Sequence, residues 1–306
     1  MKYKYELSIV IVSWNTRDLL ERCLQSVYKF NLDLKFEIFV IDNQSADESL
    51  LMLETKFINH PEQYPNLHII ANNFNAGFAR ANNQGIRQTR GRHILLLNPD
   101  TEILRSGDLK KCVEYLDNYS EVGVLGCQLL NADKTLQSSV RSFPSFVASA
   151  LVLLKVHNIF PRLEPIKKYY ALDFDYKKEQ VVDQVMGAFF MISRSALDKV
   201  GEMDEKYWIW FEEVDYCQQC LKKGLKTIYW PEIAILHLQG QSFKQVLSLS
   251  SQKRMNKSMR RYFRKFQPTL SYLFLLPLMP MSLFLSWLVQ ILEKNNFKIK
   301  AKKKLA

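Results

Sequence analysis

Four short apolar runs, each ending in polar residues, dominate the first hundred positions: "LSIVIVSWN", "FEIFVIDNQ", "LHIIANN" and "HILLLNPD". Continuous runs of this length, rich in β-branched residues, predict strands buried on both faces. Amphipathic segments separate them. "TRDLLERCLQSVYKF" puts Leu19, Leu20, Cys23, Leu24 and Val27 on one helical face, with Thr16 as its expected N-cap. "SADESLLMLETKF" predicts a second helix capped by Ser45, and "GFARANNQGIRQT" a third. Strand–helix alternation at this spacing specifies an α/β fold with a doubly wound, mostly parallel sheet and helices on both faces. Ligands of such sheets sit beyond the carboxyl ends of the strands. Asn15, Asp42, Asn73, Asn98 and Asp100 all stand at such ends, so the strand tips are expected to converge on one crevice.

Beyond residue 125 the pattern loosens. A hairpin is expected around Asn131-Ala-Asp-Lys134, then a polar, Pro-punctuated excursion over the site. Val185 to Ser193 predicts a strand leading into a helix that stops at Gly201. "YWIWFEEVDYCQQCLKKG" holds a helix ended by Gly224, and "LKTIYWPEIAILHLQG" predicts two short strands.

The net charge of +11 points to nucleic acid until it is located. From Lys253 onward there are 13 Lys/Arg and one acid, so residues 1–252 are nearly neutral. A nucleic-acid-binding body is therefore not expected. Between the two basic clusters lies an uncharged run, Phe266 to Leu292, long enough to cross a bilayer. Pro277 and Pro280 interrupt it, and positive charge on both sides favours an interfacial or re-entrant hairpin, with Tyr272 and Trp287 at interfaces. The expected division is a domain of residues 1–245 and a membrane-associating segment of residues 246–306. The start, "MKYKYELSIVIVSWN", turns polar too soon for a signal peptide. The five cysteines form no framework, and Cys217-Gln-Gln-Cys220 lacks a second CxxC, so free thiols in a reducing compartment are expected.

No GxGxxG follows the first strand and no GxxxxGK[ST] occurs, which excludes the common dinucleotide and P-loop sites. Asp42 can accept hydrogen bonds from a base or ribose, or cap the next helix. Asp100 suits a hard divalent cation, or belongs to an ordinary Pro-Asp turn. "FEEVDYC" carries Glu212, Glu213 and Asp215. Clustered carboxylates raise one member's pKa, which suits a general base, and they also complement a helix N-terminus. Asn75 and Gly77 open a helix whose N-terminal amides can face an anion, with Arg80 to offset its charge. Gly187 in "MGAFF" and Trp208 in "YWIWF" are candidates for the acceptor side.

The seven motifs "LSIVIVSWN", "FVIDNQSAD", "NFNAGFARANNQGI", "LLLNPDTEI", "GAFFMISRSAL", "FEEVDYCQQC" and "ILHLQG", in this order across residues 7–243, resemble the family 2 glycosyltransferases of the GT-A fold, above all their bacterial rhamnosyltransferase-like branch. The resemblance implies an inverting glycosyltransferase. Asp42 and Asn15 would hold the nucleotide of a dTDP- or UDP-sugar, and Glu213 would be the base. The family's Asp-x-Asp metal motif stands here as Asn98-Pro99-Asp100, so the cation would rest on Asp100 and His237. Imidazole favours Mn²⁺ over Mg²⁺. The branch implies L-rhamnose as donor sugar, a glycan or lipid-linked acceptor, and a place at the cytoplasmic face of a bacterial membrane. The amide at Asn98 leaves one rival reading, a catalytically silent sugar-nucleotide scaffold.

Overall fold

The structure, a computed structural model, describes residues 3–30, 33–238 and 248–304. The four apolar runs form β1 (Tyr5–Ser13), β2 (Phe36–Asp42), β3 (Leu67–Ala71) and β4 (Gly91–Leu97), connected through α1 (Arg17–Phe30), α2 (Ser49–Leu53) and α3 (Phe78–Ile86). The three pairings β3–β2, β2–β1 and β1–β4 are all parallel. The chain steps outward from β1 to β3 and then returns to the far side of β1, so strand order reverses between β1 and β4.

Side chains alternate across this sheet and build two cores. Leu7, Ile9 and Ile11 of β1 pack with α1 and α2 in one core, while Val10 and Val12 pack with α3 in the other. Both faces of each strand are therefore apolar, and the runs read as continuous rather than alternating. Ser45 does not cap the second helix. Its amide binds the Asp42 carboxylate at 2.9 Å, its hydroxyl accepts the Asn15 amide at 3.0 Å, and α2 starts only at Ser49.

After β4 come β5 (Thr101–Ile103), α4 (Asp108–Asn118), β6 (Val122–Leu130), β7 (Leu136–Gln137) and β8 (Val140–Arg141). The excursion contains α5 (Phe146–Leu153) and α6 (Glu164–Tyr169), followed by β9 (Gln180–Val182), β10 (Gln184–Val185), β11 (Phe189–Ile192), α7 (Arg194–Val200), α8 (Glu212–Lys222) and β12 (Lys226–His237). β11 runs antiparallel between β4 and β6, and β12 lies parallel to β6. The expected strand over Val185–Ser193 is divided. β10 pairs with β8, the chain steps across at Met186–Ala188, and β11 joins the main sheet. Where two strands were expected, Lys226–His237 forms one. Trp230 pairs with Cys127 and Ala234 with Gln128, so Pro231, Glu232 and Ile233 bulge out of the ladder. Proline has no N–H to give, and a bulge absorbs it.

The tail forms α9 (Ser248–Phe266), α10 (Thr269–Leu275) and α11 (Leu278–Lys304). Contacts cross the division expected at residue 245. Met259, Tyr262 and Phe263 of α9 share a core with Tyr207, Phe211 and Val214. Ser258 bonds the Ile209 carbonyl at 2.8 Å, and Lys265 reaches both Asp215 oxygens at 2.7 and 2.8 Å. Residues 248–266 therefore belong to the α/β body. Pro277 separates α10 from α11, and Pro280 falls in the first turn of α11, where its missing N–H leaves no intrahelical bond unmade.

Candidate active site at the strand-order reversal

Beyond β1 and β4, where an open α/β sheet binds its ligands, lies a crevice of about 100 Å³ that opens to solvent. Strand parity decides who faces it. Val12 and Trp14 of β1, Asn43 after β2 and Asn98 after β4 all stand on the α3 side and wall the crevice. Asp42 and Asn15 have the opposite parity. They meet in an adjoining loop cluster, where the Asn15 side-chain oxygen accepts the Ala46 amide at 2.7 Å. The expected single convergence of strand tips is thus two neighbouring sites. Asp42 is buried, and its Oδ1 has no hydrogen-bond partner among the described residues. A buried carboxylate oxygen left in that state costs about 1–3 kcal/mol, so the position is poised for a ligand N–H.

Asn43, which the sequence reading passed over, knits the crevice floor. Its amide donates to Asn75 Oδ1 at 3.0 Å, and its oxygen accepts the Ala76 amide at 2.9 Å. The Gly77 amide goes to Asn75 Oδ1, and the Phe78 amide to the Trp208 carbonyl at 2.7 Å. Two of the amides at the start of α3, those of Gly77 and Phe78, are therefore engaged within the protein. Gly77 stands at φ 83°, and a Cβ there would lie 2.6 Å from the Trp208 carbonyl oxygen, which excludes any other residue. Arg80 is exposed. It lies over the Phe74 ring, 4.0 Å from Glu205, and is not among the residues that wall the crevice.

Asn98, Pro99 and Asp100 form one wall. Asp100 Oδ1 lies 3.4 Å from His237 Nε2, and both residues are buried. The tautomer follows from the neighbours. Gln137 turns its amide nitrogen to Asn131 Oδ1 at 2.8 Å, so its oxygen, 2.6 Å from His237 Nδ1, must accept a proton from that nitrogen. Nε2 is then the nitrogen that faces the Asp100 carboxylate, and the two atoms are placed to share a cation. Asn98 Oδ1 is also buried without a partner among the described residues. No group of three or more His, Cys, Asp or Glu side chains suited to a metal occurs among the described residues. Asp100 and His237 fit a divalent ion only as part of a set that a ligand's own oxygens complete.

Glu212 and Glu213 open α8, and Oε2 of each is buried with no hydrogen-bond partner among the described residues. Burial raises both carboxyls above the usual range. Glu213 raises Glu212 further, while backbone hydrogen bonds and Arg141 draw Glu213 back down. Ahead of them Trp210 and Phe211 sit at φ 62° and 69°, a strained conformation for bulky residues that turns the chain sharply into the helix. Asp215 has a different task. Tyr207, Gln219 and Lys265 all donate to its oxygens, which ties α8 to α9. Gly187 marks the step between β10 and β11, one residue before the Ala188 carbonyl that accepts the Asn98 amide, and the space beside it is open. Trp208 does wall the crevice, but the Arg254 guanidinium already covers its ring at 3.6 Å. Arg254, from the tail, was not foreseen as a site residue.

The family model "Glycosyl transferase family 2" matches residues 8–201. The chain belongs to glycosyl transferase family 2. This family 2 glycosyltransferase is 24% identical over 247 residues to the N-acetylglucosaminyl-diphospho-decaprenol L-rhamnosyltransferase of Mycobacterium tuberculosis, covering 77% of each chain. It is 24% identical over 265 residues to the rhamnosyltransferase WbbL of Escherichia coli, covering 84% of this chain and 92% of WbbL. The fold is that of GT-A glycosyltransferases. The mannosyltransferase PcManGT from Pyrobaculum calidifontis, solved with GDP-Man and Mn²⁺, superposes with a TM-score of 0.59 at 14% identity, over 93% of this chain and 73% of that one.

Proposed function

We propose that this glycosyltransferase moves a sugar from a nucleotide diphosphate donor, with inversion, to a hydroxyl of a lipid-linked glycan at a membrane surface. The observation that carries the reading is the Asp100 carboxylate on the crevice wall with His237 3.4 Å from it, two cation ligands that lack the rest of their set. A donor diphosphate supplies the missing oxygens. A divalent ion bound there, Mn²⁺ before Mg²⁺ because one ligand is imidazole, would offset charge as the diphosphate leaves. The Asp42 Oδ1 atom, with Asn15 beside it, takes an N–H of the nucleotide base. Glu213 takes the proton of the acceptor hydroxyl as that oxygen bonds to the anomeric carbon and the bond to the diphosphate breaks on the opposite face. The rhamnosyltransferase relatives favour a dTDP-activated deoxyhexose, L-rhamnose first. A screen of sugar nucleotides with Mn²⁺, read as release of nucleoside diphosphate on adding acceptor, tests this. Binding of donors with no release under any acceptor would replace the reading with the silent scaffold.

The membrane part rests on the outer surface. Of twenty exposed large apolar side chains among the described residues, seven lie in 270–289 and five in 147–172. The two segments adjoin: Phe146 and Phe274 rings are 6.5 Å apart, and Leu153 shares a core with Leu275 and Met279. Thr269–Ile291 is long and apolar enough to cross a bilayer. Yet Ser282 and Ser286 of α11 are buried against α9 through Asn256 and Gln252. A helix packed along its polar seam on a soluble body is set to lie in the interface rather than cross it. Co-sedimentation of the full chain with anionic vesicles tests this placement.

A further inference from the structure

We propose that Arg254 is the phosphate ligand of the donor crevice, a guanidinium delivered from the tail helix α9 and held ready on the Trp208 ring. This inference rests on the nucleotide diphosphate reading above. Three observations lead to it. Arg254 is the one basic side chain among the residues that wall the crevice, and it makes no ion pair among the described residues. Its partner is the Trp208 ring, 3.6 Å from the guanidinium carbon, a contact that fixes the plane of the group and leaves its edge donors unassigned. Several other donors near the crevice are committed: the Ala76, Gly77 and Phe78 amides bond inside the protein, and the Arg80 side chain faces Glu205. A diphosphate entering beside the Asp100 carboxylate therefore meets no other basic side chain among the described residues of that wall. Burial lowers the Arg254 pKa. A partly desolvated guanidinium without a counter-charge gains most from an anion that it can bind with two donors at once.

The geometry also links the tail to the crevice. Trp208 is trapped between Gly77 and Arg254, and the next residue, Ile209, accepts a bond from Ser258 on the same helix. The position of the guanidinium thus depends on α9 being docked.

The test is binding, not turnover. Thymidine and uridine, with their mono- and diphosphates, are titrated into the full-length protein at saturating Mn²⁺. Compared are the wild type, Arg254→Ala and Arg254→Lys. The expected result is a loss of diphosphate affinity in Arg254→Ala of about ten- to a hundredfold, with nucleoside affinity within about twofold and partial recovery in Arg254→Lys. An unchanged ratio of diphosphate to nucleoside affinity in Arg254→Ala would overturn the inference and leave the donor reading intact. An equal loss for nucleoside and diphosphate would also overturn it, and would make Arg254 a packing residue for Trp208. A wild type that binds none of the diphosphates would remove the donor reading and this inference together.

Discussion

The crevice wall and the helical layer at the tail are opposites in how they place polar atoms. At and around the crevice, several polar atoms are left short of partners among the described residues: Asn98 Oδ1 on the wall, Asp42 Oδ1 in the adjoining loop cluster, and Oε2 of Glu212 and Glu213 at the start of α8. In the tail, the polar side chains Gln252, Asn256, Ser282 and Ser286 turn inward and satisfy one another, while Leu273, Phe274, Phe284 and Trp287 face out. Unpaired polar atoms in a cavity mark a ligand that supplies the partner. Apolar side chains grouped on an outer face mark a surrounding that is not only water. Asp215 and Glu213 show the same contrast within one helical turn. The first has every oxygen bonded and holds the layers together, and the second keeps an oxygen free for chemistry.

The sharpest way to break this contrast is at Glu213. Glu213→Gln keeps shape and loses proton acceptance, so turnover should fall by roughly two to four powers of ten with donor binding nearly unchanged. Asp215→Asn should lose stability instead. Stopped assays beside a denaturation curve separate the two. A raised carboxyl pKa means that activity needing the free base falls as pH drops through a value above the ordinary carboxylate range of about 4. Stability runs the other way. A pair that holds its proton more tightly when folded stabilises the fold fully below the unfolded pKa, and loses that contribution as pH rises through the raised one. Glu212→Gln should flatten that alkaline decline in thermal melts.

Next in size is Asp100→Ala. It should abolish metal-stimulated donor binding, a loss of several kcal/mol of transition-state stabilisation in turnover. Binding isotherms with and without chelator check it, and equal donor affinity in both conditions would return Asp100 to the role of a turn residue.

The tie between the layers comes third. Lys265→Met leaves the buried Asp215 carboxylate with Tyr207 and Gln219 but no cation. About 3 kcal/mol of unfolding free energy should go, at the lower end for a broken buried pair because Lys265 is 31% exposed. Urea denaturation measures it. The smallest effect is expected on the outer face, where Phe274→Ser should weaken vesicle binding by roughly tenfold without changing donor release from a soluble acceptor analogue. An unchanged vesicle affinity would make that face a contact for something other than lipid.

The parallel half was legible because both of its signals are local. Apolar runs and capped amphipathic segments fix β1 to β4 from neighbouring residues alone, and ordered motifs fixed the family. The site was legible in its residues but not in its orientation. Asp42 and Asn43 are adjacent in sequence and face opposite sides, and only the register of β2 in the sheet says which side holds the crevice. Ser45 looked like a cap because Ser before a periodic run usually is one. Its side chain met Asn15, thirty residues away, and the helix started later. Gln137 gave no signal, since its task, holding the His237 tautomer from a hundred positions upstream, exists only once β7 and β12 are brought together.

By itself, the sequence determined the strands, the helices between them, the acids at strand and helix starts, and the charge that is confined to the tail. These follow from hydrophobic period, capping chemistry and composition, all of which act within a few residues. Tertiary structure decided which polar atoms stay unpaired, which carboxylate is tied and which is free, and that α9 belongs to the body and brings Arg254 to the crevice. Those outcomes depend on contacts between segments more than forty positions apart, Lys265 with Asp215 and Arg254 with Trp208, and no local pattern carries the energy of a contact that the fold has yet to make.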